Sequence, residues 1–232
     1  MPHLKLKGLF EMARGREIDL LRKYPKTKRD PAARAEGKTE QDRNIARKFG
    51  KDFFDGDRRN GYGGFKYDPK FWMPVCPDII QHFHLSESSS VLDVGCAKGF
   101  MLVDLLKAIP NMRVGGVDIS EYAVGHAHED VRHLLQVADA RELPFADNSF
   151  DCVISINTVH NLDRDECGCA LREIQRVAKR GSFVTVDAYR TPEEKERMYA
   201  WNLTAKTIFS VEEWVKFFEE VGYEGDYFWF IP

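Results

Sequence analysis

The chain has no CxxC pair among its five cysteines, and an odd number of them. Together these exclude a disulfide framework and a tetrahedral thiolate metal site. Cys76, Cys96, Cys152, Cys167 and Cys169 therefore read as thiols of a reducing, cytoplasmic compartment. The pairs His82/His84 and His126/His128 and the Cys167-Gly168-Cys169 stretch lack a second pair at ligand spacing, so no metal is expected. No apolar run approaches 18 residues, and the opening MPHLKLKGLFEMARG has no apolar h-region, so neither a membrane span nor a secretory leader is expected. There are no internal repeats and no low-complexity stretches, which excludes solenoid architectures. No GK[ST] follows a glycine loop, which excludes a P-loop. A net charge of −3 gives no overall attraction to polyanions.

What is present suits an α/β domain with an elaboration. A 232-residue chain with 43% hydrophobic and 31% charged residues can bury a substantial core without staples. Charge is uneven: residues 1–50 carry 14 Lys/Arg against 7 Asp/Glu, a local +7 that leaves −10 for the remainder. Such a basic arm suits a phosphate-bearing substrate or, more plainly, a solvated face.

Two regions join near residue 85. Residues 1–85 are polar, basic and aromatic-rich, and read as a helical extension forming a lid. Leu9, Met12, Ile18, Leu21 and Tyr24 predict one or two short helices ending before Pro25. Thr39 and Asp42 form a capping box opening a helix to about Phe49, stopped by Gly50. Pro77 suits the first turn of a helix through IIQHFHL. Residues 86–232 alternate short apolar runs with helical stretches: VLDVG, FMLVDLLKAI, RVGGVDI, SEYAVGHAH, HLLQVAD, DCVISIN, ECGCALREIQRVAK and SFVTVDAY. That rhythm predicts βαβ units in a Rossmann-like, doubly wound, mostly parallel sheet of six or seven strands. Ser210 and Glu213 cap a last helix, Gly222 ends it, and YFWFI is the final strand.

VLDVGCAKGF leaves the first strand and opens a helix, where a doubly wound sheet holds its ligand. A dinucleotide loop needs G-x-G-x-x-G, but Ala97 and Phe100 stand at its second and third glycine positions. An NAD-linked oxidoreductase is thereby the weakest reading. D-x-G-x-x-x-G, formed by Asp93, Gly95 and Gly99, suits a zwitterionic ligand: an acid for an ammonium, and bare backbone beside a chain. This stretch resembles the first motif of class I S-adenosylmethionine-dependent methyltransferases of the small-molecule, type 11-like sort, with Ala97 in place of the middle glycine. Asp118 ends VGGVDIS, 23 residues beyond Gly95, where a carboxylate accepts both ribose hydroxyls. VADARELPFADNSFDCVISIN resembles the family's adenine segment, with Asp139 for the exocyclic amine and Ala140 or Arg141 for the ring.

The resemblance covers residues 90–190 and implies S-adenosylmethionine as cofactor, leaving as S-adenosylhomocysteine. It implies a cofactor site of Tyr62, Asp93, Gly95, Cys96, Ala97, Gly99, Asp118, Ile119, Asp139, Ala140 and Asn157. Tyr62, beside glycines, reaches in this reading for the methionine carboxylate. The flanks GKDFFDGDRRNGYGGFKYDPKFW and ERMYAWNLTAKTIF resemble bacterial methyltransferases of surface-polysaccharide and sugar modification, which implies a hydroxyl or amine of a sugar-type or nucleotide-sugar metabolite as acceptor.

For a hydroxyl acceptor a base takes the proton. His160, four residues past the fourth strand, is the first candidate, since imidazole titrates near neutrality. Asp187 and Tyr189, after the fifth strand, bind substrate or orient His160 in this reading. Tyr67, Arg190, Tyr199, Trp201 and Asn202 are candidate acceptor contacts, an aromatic for a sugar face and arginine for a diphosphate. Lys98 replaces a small residue at the helix start, and its backbone is expected to matter more than its charge. The family's sheet ends in a hairpin, yet only YFWFI remains, so an N-terminal piece completes the sheet or an open edge invites a second copy. The rival readings are a nucleic-acid methyltransferase, suggested by the basic arm, and a non-catalytic cofactor-binding regulatory module.

Overall fold

A computed structural model describes residues 15–25, 38–63 and 65–232. Seven strands form one sheet: β1 (Ser90–Val94), β2 (Arg113–Asp118), β3 (Leu135–Val137), β4 (Phe150–Ile156), β5 (Ala178–Tyr189), β6 (Phe209–Ser210) and β7 (Asp226–Phe230). The order is β3-β2-β1-β4-β5, with β7 along Phe183–Asp187 of β5 and β6 beside Ala188 and Tyr189 of the same strand. Every pairing is parallel. All five residues of β1 are buried, as expected for a central strand covered on both faces. The chain runs outward from β1 in one direction through β2 and β3, and in the other through β4 and β5. The resulting switch point lies between β1 and β4, where such sheets open a crevice at their carboxyl ends.

Helices cover both faces. On one side lie α7 (Arg164–Val177) and α9 (Val211–Val221). Helix α7 buries Cys167, Ala170, Leu171, Ile174 and Val177, a three-and-four spacing that keeps one stripe on the sheet. Trp214, Phe217 and Phe218 of α9 join the same core. Both helices open on capping boxes, Asp163 with Glu166 and Ser210 with Glu213, and Gly222 ends α9 at φ +73°. On the other face lie α4 (Cys76–His82) and α5 (Phe100–Ala108). Val75, Cys76, Ile79 and Leu85 are buried with Val91 of β1 and Leu102 and Leu105 of α5. Packing thus continues across residue 85, and the end of the extension belongs to the sheet's own core.

The outer edge of β7 is paired at Tyr227 by the chain itself. The Ile18 N–H donates to the Tyr227 carbonyl at 2.9 Å, and the Tyr227 N–H donates to Arg16 at 3.1 Å. This corrects the helix expected through Ile18, Leu21 and Tyr24: residues 16–18 run parallel to β7, and a turn follows with Leu20 buried. Pairing with an open edge outweighed the apolar spacing at residues 16–18. Leu9 and Met12 lie outside the described residues, as do residues 1–14 and 26–37 of the basic arm.

The lid begins with α1 (Glu40–Ala46), capped by Thr39 and Asp42 as expected, but ending three residues before Phe49, which stands at φ +48°. Helix α2 (Lys51–Phe54) follows. Phe49, Phe53, Phe54, Tyr62 and Phe65 pack on one another and on Ala97, Ala123 and Leu203. Phe53 is the hub, with ring centroids at 5.3 Å to Phe49, 5.0 Å to Phe54 and 6.1 Å to Tyr62. Each buried Phe is worth about 1.5–3 kcal/mol, so the cluster fixes this short, irregular segment to the domain.

Candidate active site

A cavity of about 1140 Å³ opens at the carboxyl ends of β1, β2, β4 and β5, beneath the lid. Its floor is the turn after β1. Gly95, Ala97 and Gly99 stand at φ +82°, +49° and +76°. A Cβ on Gly95 would lie 2.0 Å from Thr158 Oγ1, and one on Gly99 would lie 2.7 Å from Val131 Cγ2, so both positions require glycine. Ala97 takes the same left-handed backbone at a cost. Asn157, at φ +51°, and Phe49 also line the cavity, so three of the five left-handed non-glycine residues among those described gather here.

The turn is bonded to Asp118 at the end of β2. Its Oδ2 accepts from the Ala97 N–H at 2.8 Å and its Oδ1 from the Ser120 N–H at 2.9 Å. Asp93 lies beside it at the end of β1. Burial, then the charge of Asp118, pushes the Asp93 carboxyl up to about 8; burial also raises Asp118, against the two N–H bonds it accepts. Among the described residues neither acid has a cationic partner. Two buried carboxylates without a counter-charge fit a ligand that brings an ammonium and a vicinal diol. Ile119, 55% exposed, presents an apolar side chain to the cavity next to them.

Cys96, Asp139, Ala140 and Asn157 also line the cavity. The Asp139 carboxylate, however, is already engaged. Arg141 donates to it through Nε at 2.9 and 3.0 Å and Nη2 at 2.6 Å, holding it below the usual range, and also bonds Glu166. Asn157 is clasped to β5: Thr185 Oγ1 donates to its side-chain oxygen at 2.8 Å.

At the far end of the cavity Asp187 is 4% exposed, and burial pushes its carboxyl up to about 7. Among the described residues that carboxylate accepts no hydrogen bond. Its backbone is fixed on both sides. The N–H donates to His160 Nδ1 at 3.0 Å, and the carbonyl accepts from Trp214 Nε1 at 2.9 Å. His160 corrects its expectation. It is 3% exposed, does not line the cavity, and burial pushes it down to about 3. Because Nδ1 accepts, the ring proton is assigned to Nε2, 3.7 Å from Asp187 Oδ1. The imidazole lies against the Asp187 carboxyl, outside the cavity lining.

Tyr62 and Trp201 line this end with their rings stacked at 6.1 Å and 21°. The Tyr62 hydroxyl accepts from the Leu203 N–H at 2.8 Å, which ties it to the loop after α8 (Pro192–Trp201) and not to the glycine turn. Arg190 is at the rim, paired with Glu17 at 3.1 Å. Four expected contacts lie elsewhere. Tyr67 donates to Asp104 at 2.5 Å and accepts from Lys107 at 2.6 Å, over the outside of α5. The Tyr189 hydroxyl donates to Glu213 at 3.2 Å, Tyr199 is 51% exposed on α8, and Asn202 closes its own loop onto Ala205 at 2.7 Å. The sequence reading missed Thr185, which lies on the same face of β5 as Asp187 by its two-residue spacing and lines the cavity. It also missed Trp72, Phe228 and Phe230, and the strap residues Asp19, Leu21 and Tyr24, for which no local signal exists.

Residues 91–181 match the family described as a methyltransferase domain. Over that stretch the chain is similar to a methyltransferase domain. A demethylmenaquinone methyltransferase of Symbiobacterium thermophilum is 31% identical over 155 residues, 62% of this chain and 59% of the relative. One of Staphylococcus aureus (strain JH9) is 32% identical over 146 residues, 61% of this chain and 55% of the relative. The chain thus spans less than two thirds of the length of these curated relatives. The crystal structure of the YcgJ protein of Bacillus subtilis has a TM-score of 0.53 at 21% identity, over 63% of this chain and 66% of that one, a likeness of fold. Among the described residues, no helix is long and apolar enough to cross a membrane.

Proposed function

We propose that the protein transfers a methyl group from S-adenosylmethionine to a hydroxylated, largely apolar ring of a small molecule, with Asp187 as general base. The cavity carries this reading. At about 1140 Å³ it exceeds the ~300–1,000 Å³ usual for one ligand, and buried acids of different environment stand at its two ends. Asp93 and Asp118 would hold the ammonium and ribose, Ile119 and Ala140 the adenine, and Gly95 to Gly99 the methionine chain. When bound, the cofactor supplies an electrophilic methyl group, so the protein's work is alignment and removal of one proton.

Asp187 suits the proton's removal. A carboxyl raised to about 7 is half ionised at neutral pH and matched to a weakly acidic hydroxyl. The hydroxyl proton would pass to Asp187, leaving an electron pair on the acceptor oxygen for the methyl carbon, whose bond to sulfur would break with its electrons kept by the departing S-adenosylhomocysteine. His160 and Trp214 hold the Asp187 backbone, and the neutral imidazole keeps that carboxylate's back face dry. The same cavity is lined by Tyr62, Trp72, Trp201, Phe228 and Phe230, aromatics that suit an apolar ring, alongside the polar Thr185, Arg190 and Lys206. The curated relatives point the same way, being named for demethylmenaquinone, a quinone, and not for a sugar.

The test supplies isotope-labelled methyl donor with two acceptor panels, hydroxylated aromatic rings including reduced quinones, and nucleotide sugars. Mass spectrometry is expected to find label in the first panel. Label confined to nucleotide sugars overturns the acceptor class, and calorimetry showing no cofactor binding overturns the whole reading.

A further inference from the structure

The charge of Lys98, whose backbone was expected to matter more, is paired. Its side chain is 8% exposed and leaves the glycine turn for the lid. Nζ donates to both oxygens of Asp55, at 2.8 and 2.7 Å, and to the Phe65 carbonyl at 3.2 Å. Asp55 stands immediately after α2 and also accepts from the Tyr122 hydroxyl at 2.8 Å, from α6 (Glu121–Gly125). A second tie holds the start of the lid, where Ser120 Oγ donates to the Phe49 carbonyl at 2.5 Å. Both ties begin beside Asp118. The Ser120 N–H bonds one oxygen of Asp118, and the N–H of Ala97, next to Lys98, bonds the other. Whatever occupies Asp118 therefore acts on the two anchors of the lid.

We infer that Lys98 and Asp55 form a latch that clasps the aromatic lid to the cofactor turn, so that cofactor exchange requires this pair to part. Lys98 is a positioning residue in this scheme, acting through the lid and the turn. Opening the lid separates an ion pair whose lysine side is almost fully desolvated, and lifts Phe53, Phe54 and Phe65 from Ala97 and Ala123. Burial raises the Asp55 carboxyl, but Lys98 and Tyr122 more than reverse it, so the acid stays ionised throughout the neutral range. The latch rests on the proposed cofactor site, since it has a function only if a ligand lies beneath the lid.

The experiment is stopped-flow dissociation of S-adenosylhomocysteine from the wild type, Lys98→Met, Asp55→Asn and the double variant, with trypsin cleavage at the exposed Arg58 and Arg59 as a second readout. Each single variant is expected to release the ligand about ten-fold faster, as a pair desolvated on one side outweighs a surface pair. The double variant is expected to add little, because the two residues act as a unit. The ligand should protect Arg58 and Arg59 in the wild type and not in the variants. A lower melting temperature with unchanged dissociation and protection marks Lys98 as merely structural and overturns the latch. Failure of the wild type to bind the ligand sinks the cofactor site instead. Should Lys98→Met not fold, Tyr122→Phe removes one bond to Asp55 from a half-buried position. A smaller acceleration supports the latch, and no change overturns it.

Discussion

The two ends of the cavity are built by different means. At the proposed cofactor end the groups come from consecutive strand ends, and their geometry is set by backbone: three left-handed residues between 95 and 99, and N–H groups aimed at Asp118. At the proposed acceptor end side chains converge from the strap at 19–25, Tyr62 of the lid, Asp187, Trp201 and the last strand. Backbone turns tolerate few residue types, whereas a lining of aromatics can be assembled from almost any segment that reaches it. The first end is constrained by conformation, the second by contact.

The sharpest way to break this contrast is to remove Asp187, the acid proposed to give the acceptor end its chemistry. Asp187→Asn is expected to lower kcat by about 10²–10⁴, the usual worth of general-base catalysis, while calorimetric cofactor affinity stays within two-fold. In the wild type kcat/KM should rise ten-fold per pH unit until about 7 and then level, because only the ionised carboxylate accepts the proton. The same raised value works against stability. The neutral form is preferred in the fold, so this stabilising contribution is complete below about 4 and is lost as pH climbs through 7. A flat rate profile between pH 5 and 8 would remove Asp187 as base.

Next in size is Asp118→Ala. Two hydrogen bonds to a charged acceptor disappear and the N–H groups of Ala97 and Ser120 lose their partner, so cofactor affinity should fall about 100-fold. Unchanged affinity would dissociate the turn from the cofactor. Asp118 and its neighbours were legible in the sequence for a physical reason: strand, tight turn and helix follow one another within ten residues, and the steric demands of that turn are local. Most of the strands and helices were legible likewise, from apolar spacing and capping residues such as Ser210 with Glu213. The acceptor end was not. Nothing in Ile18, Leu21 or Tyr24 distinguishes a helix stripe from a strap pinned to β7, because the decision is taken by an open sheet edge over 200 residues away. His160 shows the same limit from the other side. Its position after β4 was right for a base, but burial, which no local spacing reports, decided its proton.

That decision is testable at intermediate size. His160→Asn keeps an acceptor for the Asp187 N–H and removes the titrating ring. A stability loss of about 1–2 kcal/mol at pH 7 is expected from the smaller side chain in a packed site, with kcat lowered less than ten-fold. The pH dependence carries more information. With its folded value depressed from the usual 6.5 to about 3, wild-type His160 stays neutral while the unfolded chain takes a proton. Its contribution is therefore present above 6.5 and declines as pH falls toward 3. In the variant, the slope of unfolding free energy in that window should flatten by one proton, about 1.4 kcal/mol per pH unit. A kcat loss as large as that of Asp187→Asn, with the acid slope unchanged, would return the base to His160.

The smallest expected effect bears on the backbone end alone. Ala97 holds φ +49° where glycine would rest without strain. A left-handed conformation costs an L-residue about 1–2 kcal/mol, while glycine's freer unfolded chain costs about 0.4–1 kcal/mol. The alanine methyl is only partly buried, against the lid cluster. Ala97→Gly should therefore stabilise the protein by roughly 0.5 kcal/mol, raising Tm by about 1–2 °C, with cofactor affinity unchanged within two-fold. The substitution also separates two accounts of the turn. If its role is to set backbone direction, glycine serves as well as alanine; if the methyl supports the lid, Tm falls and ligand dissociation quickens together, and the contrast between a conformational end and a contact end fails at this residue.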